Sequence, residues 1–397
     1  MRILQINTAV NSGSTGRIAE DIGKVLIEHG HESYIAFGRG DRPSQSKKIK
    51  IGTKLDTYKH GLKTLVFDKH GLGSSQATKD FLNKVDEVKP DVVGLHNIHG
   101  YYINYKILFD YLKTKQLPVL WTFHDCWPFT GHCTYFDSVD CRKWETHCEN
   151  CPKTRDYPKA LVDRSYNNFE DKKEAFKGLN NLKIITPSHW LANHVKNSFL
   201  KNYPVEVIHN GIDLNLFKPY KTQYKPEEKI VLGVASTWDK RKGLEDFKSL
   251  RKTLPLSTKI VLIGLSKKQI ETLPEGITGI SRTENTEELI TWYNKASVFI
   301  NPTYVDNFPT TNIEALACGT PVITYNTGGS PEAIGSDNST GVVVEKGNIE
   351  ELSTAILSTV KNEAVIDSCR KRAETYFDSQ KRYLDYLNLY NSYYHDN

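Results

Sequence analysis

Short apolar runs separated by amphipathic stretches recur along this chain, stop, and then start again. That doubled rhythm constrains the fold more than any single motif. RILQIN (residues 2–7) is followed by TGRIAEDIGKVLIEHG, in which Ile18, Ile22, Val25 and Leu26 fall at helical spacing and Gly30 stands where a helix would stop. SYIAFG, DVVGLHN, PVLWTFHD, KIITPS and EVIHNG come next, each a candidate buried strand. Strands of this kind alternating with helices predict a parallel, doubly wound α/β sheet with helices on both faces. NGIDLNLFKPYKTQYKPEEK (residues 210–229) is irregular, charged and twice interrupted by proline, and reads as a linker. The rhythm then restarts with KIVLGVAS, KGLEDFKSLRKTL, KIVLIG, ITGIS, TEELITWYNKA, SVFINP, PVITYN and TGVVVE. Thr286 is the predicted N-cap of the TEELITWYNKA helix.

A chain of 397 residues suits two such domains. We place an N-terminal domain at 1–210, a C-terminal domain at 211–378, and a Tyr-rich helix at 379–397. That helix either packs back on the first domain or caps the second. Ligands bind at the carboxyl edges of parallel sheets, which makes a cleft between two such domains the expected site.

Charge excludes some functions and suggests others. A hydrophobic content of 38% with 25% charged residues is that of a globular chain, not a disordered one. The net charge of +5 is uneven: residues 1–205 hold 30 Lys and Arg against 22 Asp and Glu, and the remainder 22 against 25. Arg39, Arg42, Lys47, Lys48, Lys50, Lys54, Lys59 and Lys63 bunch together. They form either a solvated surface or an attraction to anionic lipid head groups. No apolar run reaches the roughly 18–20 residues of a membrane span, and MRILQIN has a strand pattern, not that of a leader. The expected location is the cytoplasm, soluble or peripheral on the inner face of a membrane, with thiols reduced.

Three segments carry candidate chemistry. NSGSTGR (residues 11–17) links the first strand to the first helix. Gly13 and Gly16 would let a ligand approach the helix N-terminus, although the loop serves equally as a tight turn. YVDNFPTTNIEALACGTPVI (residues 304–323) runs from a strand end through Asp306, Pro309 at a helix start and Glu314 within the helix, to Gly319 and Pro321 at its end. Two carboxylates around a helix N-terminus could hold a phosphate on the dipole and hydroxyls on either side. Read singly, Asp306 is a turn residue and Glu314 a surface acid. LHNIHGYYINY (residues 95–105) offers His96, Asn97 and His99 to an acceptor, or else three satisfied polar side chains at a strand end.

Five of the seven cysteines lie in HDCWPFTGHCTYFDSVDCRKWETHCENCP (residues 124–152). Cys133, Cys141, Cys148 and Cys151 are spaced x7, x6 and x2, and the last pair is a C-x-x-C. Four thiolates at such spacing predict a structural zinc that stiffens a segment too short to make a core. A reducing compartment argues against disulfides, and four thiolates leave no open position for catalysis. His132 and His147 are substitute ligands, and Cys126 is expected to be a buried thiol.

The block from Asp306 to Ile323 resembles the retaining glycosyltransferases of family 4, whose GT-B fold sets two Rossmann-like domains across a cleft. That family carries E-x7-E followed by E-A-x-A-x-G-x-P-V; this chain has D-x7-E from Asp306 to Glu314, then EALACGTPV. The resemblance implies that Asp306 touches the donor sugar and Glu314 the ribose, with Asn307, Phe308, Pro309, Thr310 and Thr311 lining the sugar and diphosphate. HNGID with Phe217 looks like the family's hinge motif. KRKG looks like its diphosphate site, with Lys242 as the key cation and Arg241 beside it. TGGSPE (residues 327–332) also fits, and Gly16 falls at the family's first glycine loop. Two departures stand out: Asp306 replaces Glu, and Ser236 stands where an Arg usually precedes the lysine by six residues.

The resemblance covers about the whole chain. It implies transfer from a nucleotide-diphosphate sugar to a saccharide or lipid-linked saccharide, without a catalytic metal, by front-face attack. His124 of the FHD segment would orient the sugar or acceptor. A similar Cys-rich insertion (here about 126–160) occurs in family members of the colanic-acid and capsule type, implying a role in surface polysaccharide assembly. Two other classes compete: a nucleotide-sugar 2-epimerase of the same fold, and a zinc-containing nucleic-acid-binding protein, for which no recognition helix is evident.

Overall fold

A computed structural model describes residues 1–220 and 229–395 of the chain. It divides into two compact units: Met1–Ile208 together with Tyr383–Asn397, and His209–Arg382. Each is a parallel sheet flanked by helices.

The first unit runs β1 (Arg2–Val10), α1 (Gly13–Glu28), β2 (Glu32–Asp41), β3 (Lys47–Lys50), α2 (Lys54–Phe67), α3 (Ser75–Val88), β4 (Val92–Leu95) and α4 (Tyr105–Lys115). It continues through β5 (Val119–Thr122), α5 (Ser165–Phe176), β6 (Leu182–Thr186), α6 (His189–Asn197) and β7 (Val205–Val207). Its seven strands lie in the order β3-β2-β1-β4-β5-β6-β7, all parallel. The second unit runs β8 (Ile230–Val234), α7 (Leu244–Thr253), β9 (Lys259–Ile263), α8 (Lys267–Glu271), β10 (Ile277–Ile280), α9 (Thr286–Lys295), β11 (Val298–Asn301) and α10 (Thr310–Ala317). Then come β12 (Val322–Tyr325), α11 (Ser330–Ile334), β13 (Gly341–Val344), α12 (Ile349–Ser358) and α13 (Glu363–Tyr376). Its order is β10-β9-β8-β11-β12-β13, again all parallel. The last helix, α14 (Ser379–His395), starts in the second unit and passes into the first.

Successive strand residues point to opposite faces, and both faces of the central strands are covered, so β4, β5, β8, β11 and β12 are buried almost throughout, whereas the edge strand β3 is exposed. In β1, Leu4 and Ile6 enter one core while Ile3 enters the other; Val93 and Val92, Trp121 and Leu120, and Ile184 and Ile185 divide in the same way. In the second unit Leu232, Val261 and Phe299 take one side, and Val231, Leu262 and Ile300 the other.

Of the two placements open to the last helix, the structure shows the first. Tyr383, Tyr386, Leu387, Leu389 and Tyr390 join Ile3, Ile22, Leu26, Val92 and Leu120 in one core. Residues 210–220 are not a loose linker. Ile212 N–H donates to the Phe377 carbonyl at 2.7 Å, and Phe217 is buried in the second unit. The rest of that expected linker, residues 221–228, lies outside the described residues. The cap of α9 is Asn285, one residue before the expected Thr286. Its extended backbone lets its side chain accept from the Glu288 N–H at 2.9 Å, whereas Thr286 is already helical.

Candidate active site

In the second sheet β8 and β11 are neighbours, and the chain leaves them in opposite directions, to β9 and to β12. Such a switch point opens a crevice at the carboxyl edge. The loops after these two strands carry the residues singled out from sequence. Lys240–Lys242 forms a 3-10 turn whose cap, Asp239, accepts from the Lys242 N–H at 3.1 Å. The Arg241 carbonyl accepts from the Tyr304 N–H at 2.8 Å and the Thr303 hydroxyl at 3.2 Å, and its guanidinium donates to the Val305 carbonyl at 3.0 Å. From the other side the Thr327 hydroxyl donates to the Thr303 carbonyl at 2.7 Å, and the Gly329 N–H to that of Asp306 at 3.3 Å. Gly328 has φ +56°, and a Cβ there would lie 1.6 Å from the Asp306 carbonyl oxygen. No side chain fits, so the TGG segment presses directly on the Asp306 backbone.

This double clamp presents Asp306 to Lys242. Their carboxylate and ammonium meet at 2.5 Å, with side chains only 15% and 18% exposed. Pro309 stands at the N-cap of α10, and no side chain caps the helix. The first-turn amides of Thr310 and Thr311 have no acceptor within the helix. They also carry the positive end of its dipole, about half a charge. Glu314 lies one turn on from Thr310, hence on the same face. Its Oε2 accepts from the Tyr293 hydroxyl at 2.8 Å. Burial, then the Glu314 charge, drive the Tyr293 hydroxyl well above its ordinary pKa, so it remains a donor. Asn307 and Phe308 turn their side chains inward; Phe308 stacks on His209 with centroids 4.9 Å apart. What these two can offer a ligand is backbone.

In the first sheet the switch lies between β1 and β4. Gly13, exposed at φ +68°, is the open glycine of the loop after β1. Gly16 is buried, and a Cβ there would stand 3.1 Å from the Ala9 carbonyl oxygen, so it serves close packing of α1 on the strand end. After β4, Asn97 is held by its backbone: its N–H donates to Asn7 Oδ1 at 3.3 Å, and its carbonyl accepts from the Tyr102 hydroxyl at 2.7 Å.

The histidines form two linked groups. His96 Nε2 meets Gln5 Oε1 at 3.0 Å, and His96 Nδ1 meets His124 Nε2 at 3.0 Å. The Gln5 amide nitrogen donates to the Ala19 carbonyl, which fixes its oxygen toward His96. His96 Nε2 therefore carries the hydrogen, its Nδ1 accepts, and His124 donates through Nε2. That leaves the Nδ1 lone pair of His124 for a ligand hydroxyl. Burial keeps both rings neutral, lowering His124 to about 4 and His96 well below its ordinary value. His99 Nε2 meets the Asp125 carboxylate at 2.9 Å, and the Trp127 N–H donates to the other Asp125 oxygen at 2.9 Å. Burial acts to raise the Asp125 carboxyl, but His99 and the amide outweigh it and bring it below the usual range. Sequence reading missed Gln5, Asp125 and Tyr293, because the partners that give them meaning lie far along the chain.

Cys133, Cys141, Cys148 and Cys151 line one cavity with His132 and Trp144, and all are free thiols. The Cys151 thiol is lowered to about 7, chiefly by a hydrogen bond from Cys133. The four sulfurs do not all close to within 4.8 Å of one another. His132 Nδ1 meets the Asp68 carboxylate at 2.6 Å in full burial, while its Nε2 has no partner. His147 is paired with Glu170 at 3.2 Å, and Cys126 is buried, as expected.

The model for Glycosyltransferase Family 4 matches residues 15–216, just over half the chain, and that for Glycosyl transferases group 1 matches residues 219–376. A putative colanic acid biosynthesis glycosyl transferase, WcaC of Escherichia coli (strain K12), is 25% identical over 98% of this chain and 99% of its own. A capsular polysaccharide biosynthesis glycosyltransferase of Staphylococcus aureus, CapM, is 31% identical over 28% of this chain and 30% of its own. Among solved structures, sucrose-phosphate synthase from Thermosynechococcus elongatus superposes with a TM-score of 0.72 at 17% identity, covering 100% of both chains. Anabaena Alr3699/HepE, solved in complex with UDP, gives 0.68 at 14% identity over 99% of this chain and 100% of its own. The fold is GT-B. The chain belongs to glycosyltransferase family 4 and is a glycosyltransferase.

The neutral histidines give a pH prediction. An unfolded chain protonates its histidines near 6.5, whereas folded His124 does so at about 4 and folded His60 at about 3. The unfolded state thus binds more protons in that window, and stability falls as pH drops from about 6.5 toward 4. NMR titration should show His124 neutral at pH 5.5; a protonation midpoint near 6.5 would contradict the Gln5–His96–His124 assignment.

Proposed function

We propose that this enzyme moves a sugar from a nucleoside diphosphate to a hydroxyl of a saccharide or lipid-linked saccharide in the cytoplasm, with retention, during surface polysaccharide assembly. The observation that carries the reading is the uncapped N-terminus of α10 beside the Lys242–Asp306 pair and Glu314, at the switch point of the second sheet. The relatives named for colanic acid and capsule synthesis support the product class. The UDP complex of the Anabaena protein supports a uridine diphosphate carrier.

The chemistry follows from the charges. As the bond between the anomeric carbon and the diphosphate oxygen breaks, negative charge grows on the phosphate. The amides of Thr310 and Thr311 and the Lys242 ammonium are fixed before the reaction and stabilise that charge. The acceptor oxygen bonds to the same carbon from the same face, and its proton passes to the departing phosphate oxygen. Glu314, held by Tyr293, accepts from ribose hydroxyls. Asp306 loses part of its hold on Lys242 when phosphate arrives and turns to the sugar. His124 accepts from a sugar or acceptor hydroxyl through Nδ1, and His96, Asn97 and His99 serve the acceptor side. Arg241 acts through the loop it braces.

Calorimetry with UDP and UDP-sugars tests this reading. Wild-type enzyme binds UDP. Lys242→Ala and Glu314→Ala each weaken it by at least about tenfold, near 1.4 kcal/mol, with the unfolding midpoint little changed. Unaltered affinity in both variants would sink the assignment.

We further propose a structural zinc in the cysteine cavity. The fit rests on the donor set: four thiols line one space, and His132 carries an unpartnered buried Nε2 while Asp68 holds its other nitrogen. A carboxylate behind a histidine is the usual support for a metal ligand. The sulfurs must draw closer than they stand here to share one ion. Elemental analysis of protein never exposed to chelator should give about one zinc per chain, and chelation should lower the unfolding midpoint. A ratio well below one would refute it.

A further inference from the structure

Aromatic rings gather at the carboxyl edge of the first sheet. After β4 the segment from His96 to Asn104 is held by three bonds. The Thr8 hydroxyl donates to the His99 carbonyl at 2.6 Å, the Tyr102 hydroxyl to that of Asn97 at 2.7 Å, and the Gly100 N–H to His70 Nε2 at 3.2 Å. Under these ties Tyr101 takes φ +73°, a left-handed conformation that a bulky side chain adopts only at a cost. Such strain persists where the surroundings over-determine it, and it gathers at ligand sites.

The segment after β5 brings a second ring. There the Ala160 N–H donates to the Thr154 carbonyl and the Leu161 N–H to that of Leu65, each at 2.7 Å. These bonds close a loop that carries Tyr157, 43% exposed. The half-buried Tyr101 and Tyr157 rings meet edge to face, with centroids 6.1 Å apart. Near the end of β2 the exposed Arg39 guanidinium lies 6.0 Å from the centre of the Tyr101 ring. It has no acidic partner among the described residues, and Asp41, two positions on, is taken by Lys48.

Two imidazoles pack against the same rings. The His70 centroid stands 5.0 Å from Tyr101, 5.6 Å from Tyr157 and 5.5 Å from His99. Both histidines are more than nine-tenths buried, and Nδ1 of each has no partner among the described residues. Burial keeps His70 neutral and its Nε2 accepts from Gly100, so its Nδ1 carries the hydrogen. His99 gives its Nε2 hydrogen to Asp125, so the neutral ring holds a lone pair on Nδ1. An unmatched donor beside an unmatched acceptor is the complement of a hydroxyl, which does both. The other rings around His70, those of His99 and Trp127, are buried, so the open side is that of the tyrosines.

These features select a ligand class. The negative face of an aromatic ring attracts the polarised C–H groups of a sugar. A guanidinium without a carboxylate partner grips a phosphate through two N–H groups. An apolar chain would use the rings and leave the imidazoles and Arg39 unserved.

We propose that Tyr101, Tyr157 and Arg39 form the subsite that selects the acceptor, a saccharide joined to a phosphate. The sugar lies on the tyrosine rings with a hydroxyl between His70 and His99, and the phosphate meets Arg39. This rests on the glycosyl-transfer reading and names the class of its acceptor.

Calorimetry of the full chain, with UDP present, tests it. The probes are the anomeric phosphates of glucose, galactose, N-acetylglucosamine and N-acetylgalactosamine, the matching methyl glycosides, and the matching octyl diphosphates. At least one phosphorylated sugar binds, and its methyl glycoside binds about tenfold or more weaker. Tyr157→Ala and Tyr101→Asn, whose asparagine tolerates the left-handed backbone, lose about tenfold toward both forms. Arg39→Ala loses about tenfold toward the phosphorylated form alone. Tighter binding of the octyl diphosphate assigns a lipid-linked acceptor, and equal binding a free sugar phosphate; either agrees with the proposal. Tyr157 and Arg39 are exposed, so those two variants should unfold at the wild-type midpoint, and UDP affinity should be unchanged in all three. A wild type that binds UDP but no phosphorylated sugar, a methyl glycoside that binds as tightly as its phosphate, or variants that bind as well as the wild type would overturn the proposal. Failure to bind UDP at all would overturn the donor reading and this one with it.

Discussion

The loop from Thr303 to Pro309 is clamped on two sides, and the chemistry proposed for the second unit depends on that clamp. The turn at Lys240–Lys242 grips it through Arg241, and Gly328 and Gly329 press on it from β12. Together they set a carboxylate against Lys242 and leave the first helical amides without a capping side chain. A cap would satisfy those amides and remove their use for a phosphate. The local structure thus forgoes a stabilising contact where the proposed ligand would supply one.

The two units use opposite electrostatic means. The candidate site of the second unit is built around an ion pair, Lys242 with Asp306. The candidate groups of the first unit are kept neutral by burial and ordered by hydrogen bonds, running from Ala19 through Gln5 and His96 to His124. A chain of neutral donors and acceptors fixes which nitrogen of His124 is free without introducing a charge that would need its own partner. Next to it a buried carboxylate, Asp125, is served by both the His99 ring and the Trp127 amide.

Much of this was legible in the sequence, for physical reasons that can be named. Strands buried on both faces are mostly apolar, so the doubled β/α rhythm was plain. Pro309 and the D-x7-E spacing marked a helix start with acids at either side. Gly16 reads as a ligand-side glycine, and the fold adds a second demand for smallness, because a Cβ there would stand 3.1 Å from the Ala9 carbonyl oxygen. The roles of Gln5, Tyr293 and Asp68 rest on partners 91, 21 and 64 positions away, which no local pattern records. The outward stripe of α2 was hidden for another reason. Leu55, Tyr58 and Leu62 have the periodicity of a core face, and only their place in the fold shows that they face water. The final helix could have served either unit, since its tyrosines suit any apolar surface with a polar rim.

The central claim is that α10 and Lys242 receive the diphosphate of the donor. A crystal structure of the enzyme with UDP tests it most directly. The account predicts phosphate oxygens within about 3 Å of the Thr310 and Thr311 amides and the Lys242 ammonium, with the ribose on Glu314. UDP bound with those groups untouched would contradict it.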